Sequence, residues 1–157
     1  MDDRFSRHRP GKLDDQADKS GREAIEEARM VLPGIQALFG FQLIAVFNER
    51  FKELTEDERL IHFSATLLVT IAIALIMTPA AYHRLTEQTT ISRFFVWLTS
   101  WLIAAAMAPL MLGLTLEVYL LVGDPKASLA VATVLLGVFF TLWFVFPLAM
   151  RLFHPQD

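Results

Sequence analysis

The sequence predicts an all-α integral membrane protein: an up-down-up-down four-helix bundle preceded by a disordered N-terminal tail. Four stretches free of Asp, Glu, Lys and Arg, at residues 30–48, 60–83, 94–116 and 127–150, hold 19 to 24 residues each. About 20 residues of helix cross a hydrocarbon core of roughly 30 Å. The connections between the stretches are short and charged, which makes successive helices antiparallel neighbours. The chain has 157 residues and is 54% hydrophobic although its first 29 residues are polar, so the apolar content sits in the four stretches. They leave no room for a separate soluble catalytic core.

The tail, residues 1–20, is dense in both signs of charge and has no apolar run. Such a segment cannot bury enough surface to offset its ordering entropy, so it reads as disordered. It lacks the apolar core and cleavage site of a secretory signal, leaving the first span as the targeting element. Its eight acids offset its seven bases up to Arg29, which argues against a strong electrostatic lipid anchor. Residues 21–154 form the transmembrane domain. Ser20 followed by Glu23 fits a capping box and places a helix start there. The first span enters the bilayer near Met30, with Pro33-Gly34 one turn inside as a kink.

In the first connection, Glu49–Arg59, Thr55 and Glu58 form a second capping box with three acids in the first helical turn. Phe51 and Leu54 then lie at the membrane interface. The second connection, Arg84–Arg93, offers Thr89 and Thr90 as caps. In the third, Gly123 ends a helix, Asp124 caps the next and Pro125 suits its first position. Ten Lys and Arg fall on the side of the termini and four on the other, so the positive-inside rule puts both termini in the cytoplasm.

Several residues stand out as chemistry. Glu26, Arg29, Pro33, Gln36 and Gly40 follow one another at three and four residues and share one helix face. That stripe should face the bundle or a second subunit. It reads as helix packing, with a polar pathway from the cytoplasmic side as the functional alternative. In a hairpin the inner ends of the first two spans are neighbours, so Glu26 or Glu27 is expected to pair with Arg84, near Arg29 and His83. Glu117 is the acid within an otherwise apolar run; it is either an interfacial carboxylate or an intramembrane proton or cation site. His62 and His83 are 21 residues apart on one helix, about 32 Å, and cannot share a metal. The histidines, His154 included, read as interfacial. Ser100, Ala104 and Ala108, like Thr133, Gly137 and Thr141, form small-residue ladders that permit close helix approach. Trp97 fits an interface anchor and Trp101 a deeper packing residue. Each span carries a proline: Pro33, Pro79, Pro109 and Pro147.

The residues Glu27-Ala-Arg29, Leu32-Pro-Gly-Ile-Gln36, Phe47-x2-Arg50-Phe51, Arg59 and Pro79-Ala-Ala-Tyr-His83-Arg84 resemble a family of small bacterial four-span membrane proteins known as a domain of unknown function. The resemblance covers about Glu27–Arg84. It implies a bacterial inner-membrane protein and supplies neither activity nor catalytic residues.

No catalytic motif, phosphate loop or metal-ligand spacing is present, and the absence of cysteine excludes disulfides and thiolate chemistry. The expectation is a non-enzymatic structural or accessory protein without cofactor or metal. Its partners are the lipid bilayer and a second copy or another membrane protein, not nucleic acid. The alternative is an oligomeric transporter or channel using Gln36, Gln42 and Glu117. A membrane enzyme or redox protein would need His, Asp or Glu clustered at one depth, and no such cluster is visible by eye.

Overall fold

The computed structural model describes residues 10–86 and 92–153. Helix α1 (Pro10–Ala45) leads through a short α2 (Glu49–Lys52) into α3 (Glu56–Thr86), followed by α4 (Arg93–Val122). Then α5 (Pro125–Phe140) continues through a π-helical turn (Thr141–Val145) into α6 (Phe146–Phe153). Three helical segments, Glu56–Thr86, Arg93–Val122 and Pro125–Phe153, are long and apolar enough to cross a membrane by length and composition. Arg29–Ala45 is a shorter apolar segment.

Helix α1 begins at Pro10, ahead of the start expected at Ser20 and within the stretch read as a tail. Proline suits a first helical turn, where its missing N–H would be unpaired anyway. Interspersed charges of both signs are as compatible with a solvated helix as with a coil. The first apolar stretch ends at Ala45 rather than Asn48. There the N–H groups of Phe47 and Asn48 bond the carbonyls of Ile44 and Ala45, each at 3.0 Å, and close the helix with tight turns.

The Thr55 cap forms as the sequence requires. Glu58 N–H donates to Thr55 Oγ1 at 3.3 Å, while Thr55 N–H reaches Glu58 Oε2 at 2.8 Å. The Thr55 backbone N–H first, and its hydroxyl second, hold the Glu58 carboxyl below its ordinary value. At α4 the cap is Ser92, whose Oγ accepts from Phe95 N–H at 3.1 Å; Thr89 and Thr90 lie outside the described residues. Gly123 takes the left-handed conformation (φ 78°) that ends α4, and Asp124 Oδ2 accepts from Ala127 N–H at 2.8 Å. The π turn directly precedes Pro147, whose ring and missing N–H disrupt the regular bond to the previous turn.

The core is organised by one face of α3. His62, Ala65, Val69, Ala72, Ile76 and Pro79 are its buried residues, spaced by alternating threes and fours. Opposite stand Phe95, Thr99, Ala106 and Gly113 of α4. Ile35 of α1 joins Val69, Ala72, Ile76 and Ala106, flanked by Leu32, Leu38, Phe39 and Leu110. The closest approach is at Gly113, where a Cβ would meet the Ala65 carbonyl oxygen and Val69 Cγ2, each at 3.0 Å.

The small-residue ladders lie largely on the outside of the chain, and one packing expectation, at Trp101, is corrected. The Thr133-Gly137-Thr141 ladder is exposed, with nothing within 4 Å of a Cβ at Gly137. Ser100 and Ala104 also face outward. A small-residue ladder shows where a helix can be approached; it does not say by what. Trp101 is 62% exposed rather than packed, and forms an outward aromatic ribbon with Phe94 and Trp97. Helix α5 and its continuation pack mainly on α4, leaving 6% of their apolar window buried against 28% for α3.

Gly113→Leu should therefore part α3 from α4 and cost about 1–3 kcal/mol, the usual penalty of overpacking. Unfolding measured in mixed micelles checks this. Wild-type stability in that variant would refute the close approach.

Candidate functional site

The α3–α4 seam carries a polar group at each end. At the end where α3 begins and α4 ends, three helices contribute one polar side chain each. Glu117 Oε1 accepts from Gln42 Nε2 at 2.9 Å and lies 3.1 Å from His62 Nδ1. Gln42 and the His62 side chain are each 4% exposed, and the Glu117 side chain 24%. The Phe51 ring of α2 stands edge-on to the imidazole at 5.3 Å and closes the site from the loop side. Gln42 Oε1 and His62 Nε2 are buried without a hydrogen-bond partner among the described residues.

Each position follows from local structure. His62 is the first residue of the buried α3 face, and the Thr55 cap fixes the register that puts it there. Glu117 lies four residues beyond Gly113, so it continues the same α4 face. Gln42 lies seven residues beyond Ile35, two turns along the buried side of α1. One carboxylate oxygen thus ties α1, α3 and α4 together. A carboxylate only accepts, so His62 donates through Nδ1, leaving Nε2 as the unpaired nitrogen. The constellation has one acid, one imidazole and one amide. Among the described residues no group of three or more His, Cys, Asp or Glu could hold a metal ion.

At the other end lies an open-sided groove of about 720 Å³, lined by Arg29 and Leu32 of α1, by Ile76, Pro79, His83 and Arg84 among others of α3, and by Thr99 of α4. The His83 ring stands edge-on to Phe95 at 5.5 Å. Of the inner-end residues picked from sequence, Arg29, His83 and Arg84 meet in this groove. Glu26 is exposed and forms no ion pair with Arg84 among the described residues. The Glu27 side chain and His154 lie outside the described residues. Gln36 is exposed, away from both sites. Of the stripe, Glu26, Pro33 and Gln36 are exposed while Arg29 lines the groove, and Ile35 and Gln42 take the buried side of α1.

Sequence reading singled out Glu117 and noted Gln42, but took His62 as interfacial and saw no cluster at one depth. The signal was present. His62 is in phase with Ala65, Val69, Ala72 and Ile76, and all three polar residues lie within two turns of the same end of their helices. Thr99 was missed because threonine is common in apolar helices and usually satisfies itself on its own backbone.

A model of a family of unknown function, DUF6328, matches residues 12–147. The chain belongs to DUF6328. The match reaches well past the first two spans that carried the resemblance and takes in α3, α4 and most of the last rod. Both ends of the seam lie inside it. No curated protein and no solved structure matches the chain.

If Glu117 joins Gln42 and His62, Glu117→Ala should cost about 1–3 kcal/mol by leaving buried partners unsatisfied. Adding Gln42→Ala to that variant should then cost little more. A double-mutant cycle on unfolding free energy measures this; additivity within about 0.3–0.5 kcal/mol would show that the two residues do not interact.

Proposed function

We propose that this DUF6328 protein is a multi-pass protein of the bacterial inner membrane, a structural or accessory component that works by packing against a further helix. The observation that carries the reading is Gln36. Its side chain is exposed on α1, seven residues past Arg29 and nine before Ala45, roughly 10 Å into the apolar segment at 1.5 Å per residue. An amide without a partner in hydrocarbon costs several kcal/mol, about 4–8 on a cyclohexane scale. A neighbouring helix, from a second copy or another membrane protein, removes that cost. The outward ladder on α5, with room for a close backbone at Gly137, supports the same reading.

The meeting of Arg29, Arg84 and Thr99 at one end, and of Gln42, His62 and Glu117 at the other, supports alternating helix directions. The Lys and Arg bias supports cytoplasmic termini. On this reading the protein has no enzymatic role. The transporter alternative is weaker because its three residues do not share a path. Gln42 and Glu117 are bonded inside the bundle, and Gln36 lies about 120° around α1 from Gln42, six residues at roughly 100° each.

The test is the mass of the protein in native-lipid particles. Wild type should carry a second copy or a stoichiometric membrane partner. Gln36→Leu should weaken that association about 3- to 20-fold, the equivalent of roughly 0.6–1.7 kcal/mol for one interhelical hydrogen bond. A wild-type monomer without a partner, or association indifferent to Gln36→Leu, contradicts the reading.

A further inference from the structure

We propose that the groove at the Arg29–Arg84 end is a binding site for one anionic phospholipid. Two guanidinium groups, of Arg29 and Arg84, stand with His83 among its lining residues, and among the described residues no carboxylate lines it. The remaining wall is largely apolar, from Leu32 on α1 and Ile76, Met77 and Pro79 on α3. From Arg84 to Ile76 is eight residues, so the wall reaches about 12 Å inward at 1.5 Å per residue. Cations at the mouth and an apolar channel below match an amphipathic anion, whose charge stays at the surface while its chain goes inward.

Thr99 gives the second, independent observation. In these helices the hydroxyls turn back on the carbonyl four residues earlier: Thr66 on His62, Thr70 on Thr66, Thr78 on Ala74, Ser100 on Val96 and Thr115 on Met111. Thr99 does not. It is 1% exposed, its Oγ1 has no hydrogen-bond partner, and it lines the groove. A buried hydroxyl left unpaired costs about 1–3 kcal/mol, so a ligand oxygen that reaches Oγ1 through a small opening of the wall is favoured. Thr99 lies six residues into α4, about 9 Å from its start. A guanidinium pairs well with phosphate oxygens, in bidentate geometry where two are presented. A free phosphate could occupy the mouth but would use neither Thr99 nor the apolar wall.

The inference rests on the membrane reading above, and one preparation separates the two. If carbonate washing strips the protein from membranes, the membrane reading fails first. If the protein stays integral, the lipid site stands or falls alone. The experiment is native mass spectrometry of the full chain in detergent. Phosphatidylglycerol is titrated against phosphatidylcholine of the same acyl chains, with inorganic phosphate as competitor. Wild type should retain one phosphatidylglycerol about tenfold more tightly than phosphatidylcholine, in keeping with two basic residues at a lipid surface. Arg29→Ala with Arg84→Ala should abolish the preference, and the double lysine variant should keep most of it. Thr99→Val should weaken both lipids by a few fold without lowering the melting temperature of the lipid-free protein, since the hydroxyl bonds nothing there. Equal retention of the two lipids by wild type overturns the proposal, whatever the variants do. So does a preference that survives the double alanine substitution, or displacement of the lipid by millimolar phosphate.

Discussion

The packing of α1 and α4 depends on one face of α3, the row His62, Ala65, Val69, Ala72, Ile76 and Pro79. On the membrane reading proposed above, there is little hydrophobic drive between helices, since acyl chains are as apolar as leucine. What remains is close packing and the pairing of polar groups. The row supplies the first through small residues. Ala65 and Ala72 are fully buried, and the missing side chain of Gly113 lets α4 settle against the Ala65 backbone. The row's register is set from outside the apolar region by the Thr55–Glu58 cap. A single inserted residue after that cap would turn the cap and α2 by about 100° relative to the face.

The second ingredient, polar pairing, follows from where the row ends. His62 closes it at one side and draws in Glu117 and Gln42, so one carboxylate oxygen joins three helices. Pro79 closes it at the other, where Arg29, His83, Arg84 and Thr99 gather around open space. The two ends differ in kind. At the first, the carboxylate is answered by groups of the same chain. At the second, two cations and a buried hydroxyl have no such answer among the described residues. A third polar feature, Gln36, lies on the outside of α1, and the helices α5 and α6 cover little of the rest. The chain is thus internally braced at one end and open to ligand or neighbour elsewhere.

Much of this was legible in the sequence, and for identifiable reasons. Thr55 with Glu58, and Gly123 with Asp124 and Pro125, are local signals whose hydrogen bonds depend only on residues within one turn. The apolar stretches from Leu60 and from Phe94 fall inside α3 and α4, because length and the absence of charge suffice to define them. What failed was anything requiring knowledge of which face meets which. The ladders through Ser100 and Gly137 satisfied the spacing for close approach, yet the approach occurs at Gly113, a lone glycine opposite alanine and valine. Trp101 looked deep and is outward. Arg29, His83 and Arg84 line one groove, and Glu26 stands exposed outside it. His62 was legible in principle, since it is in phase with the small residues after it; reading it as a membrane-surface histidine hid that phase. The Pro10 start escaped because a solvated helix and a disordered segment share the same composition.

The seam itself can be tested in the membrane, and the natural absence of cysteine gives a clean background. A Cβ at Gly113 would lie 3.4 Å from Leu68 Cβ, close to the roughly 3.5–4.5 Å that a disulfide spans. The measurement is oxidative cross-linking in native membranes of Leu68→Cys with Gly113→Cys, beside Leu67→Cys with Gly113→Cys. Leu67 is 60% exposed. The account predicts an intramolecular cross-link for the first pair and little for the second. Efficient linking of the second pair without the first would mean that α3 presents another face to α4. The seam, and the two polar ends it organises, would then be misplaced.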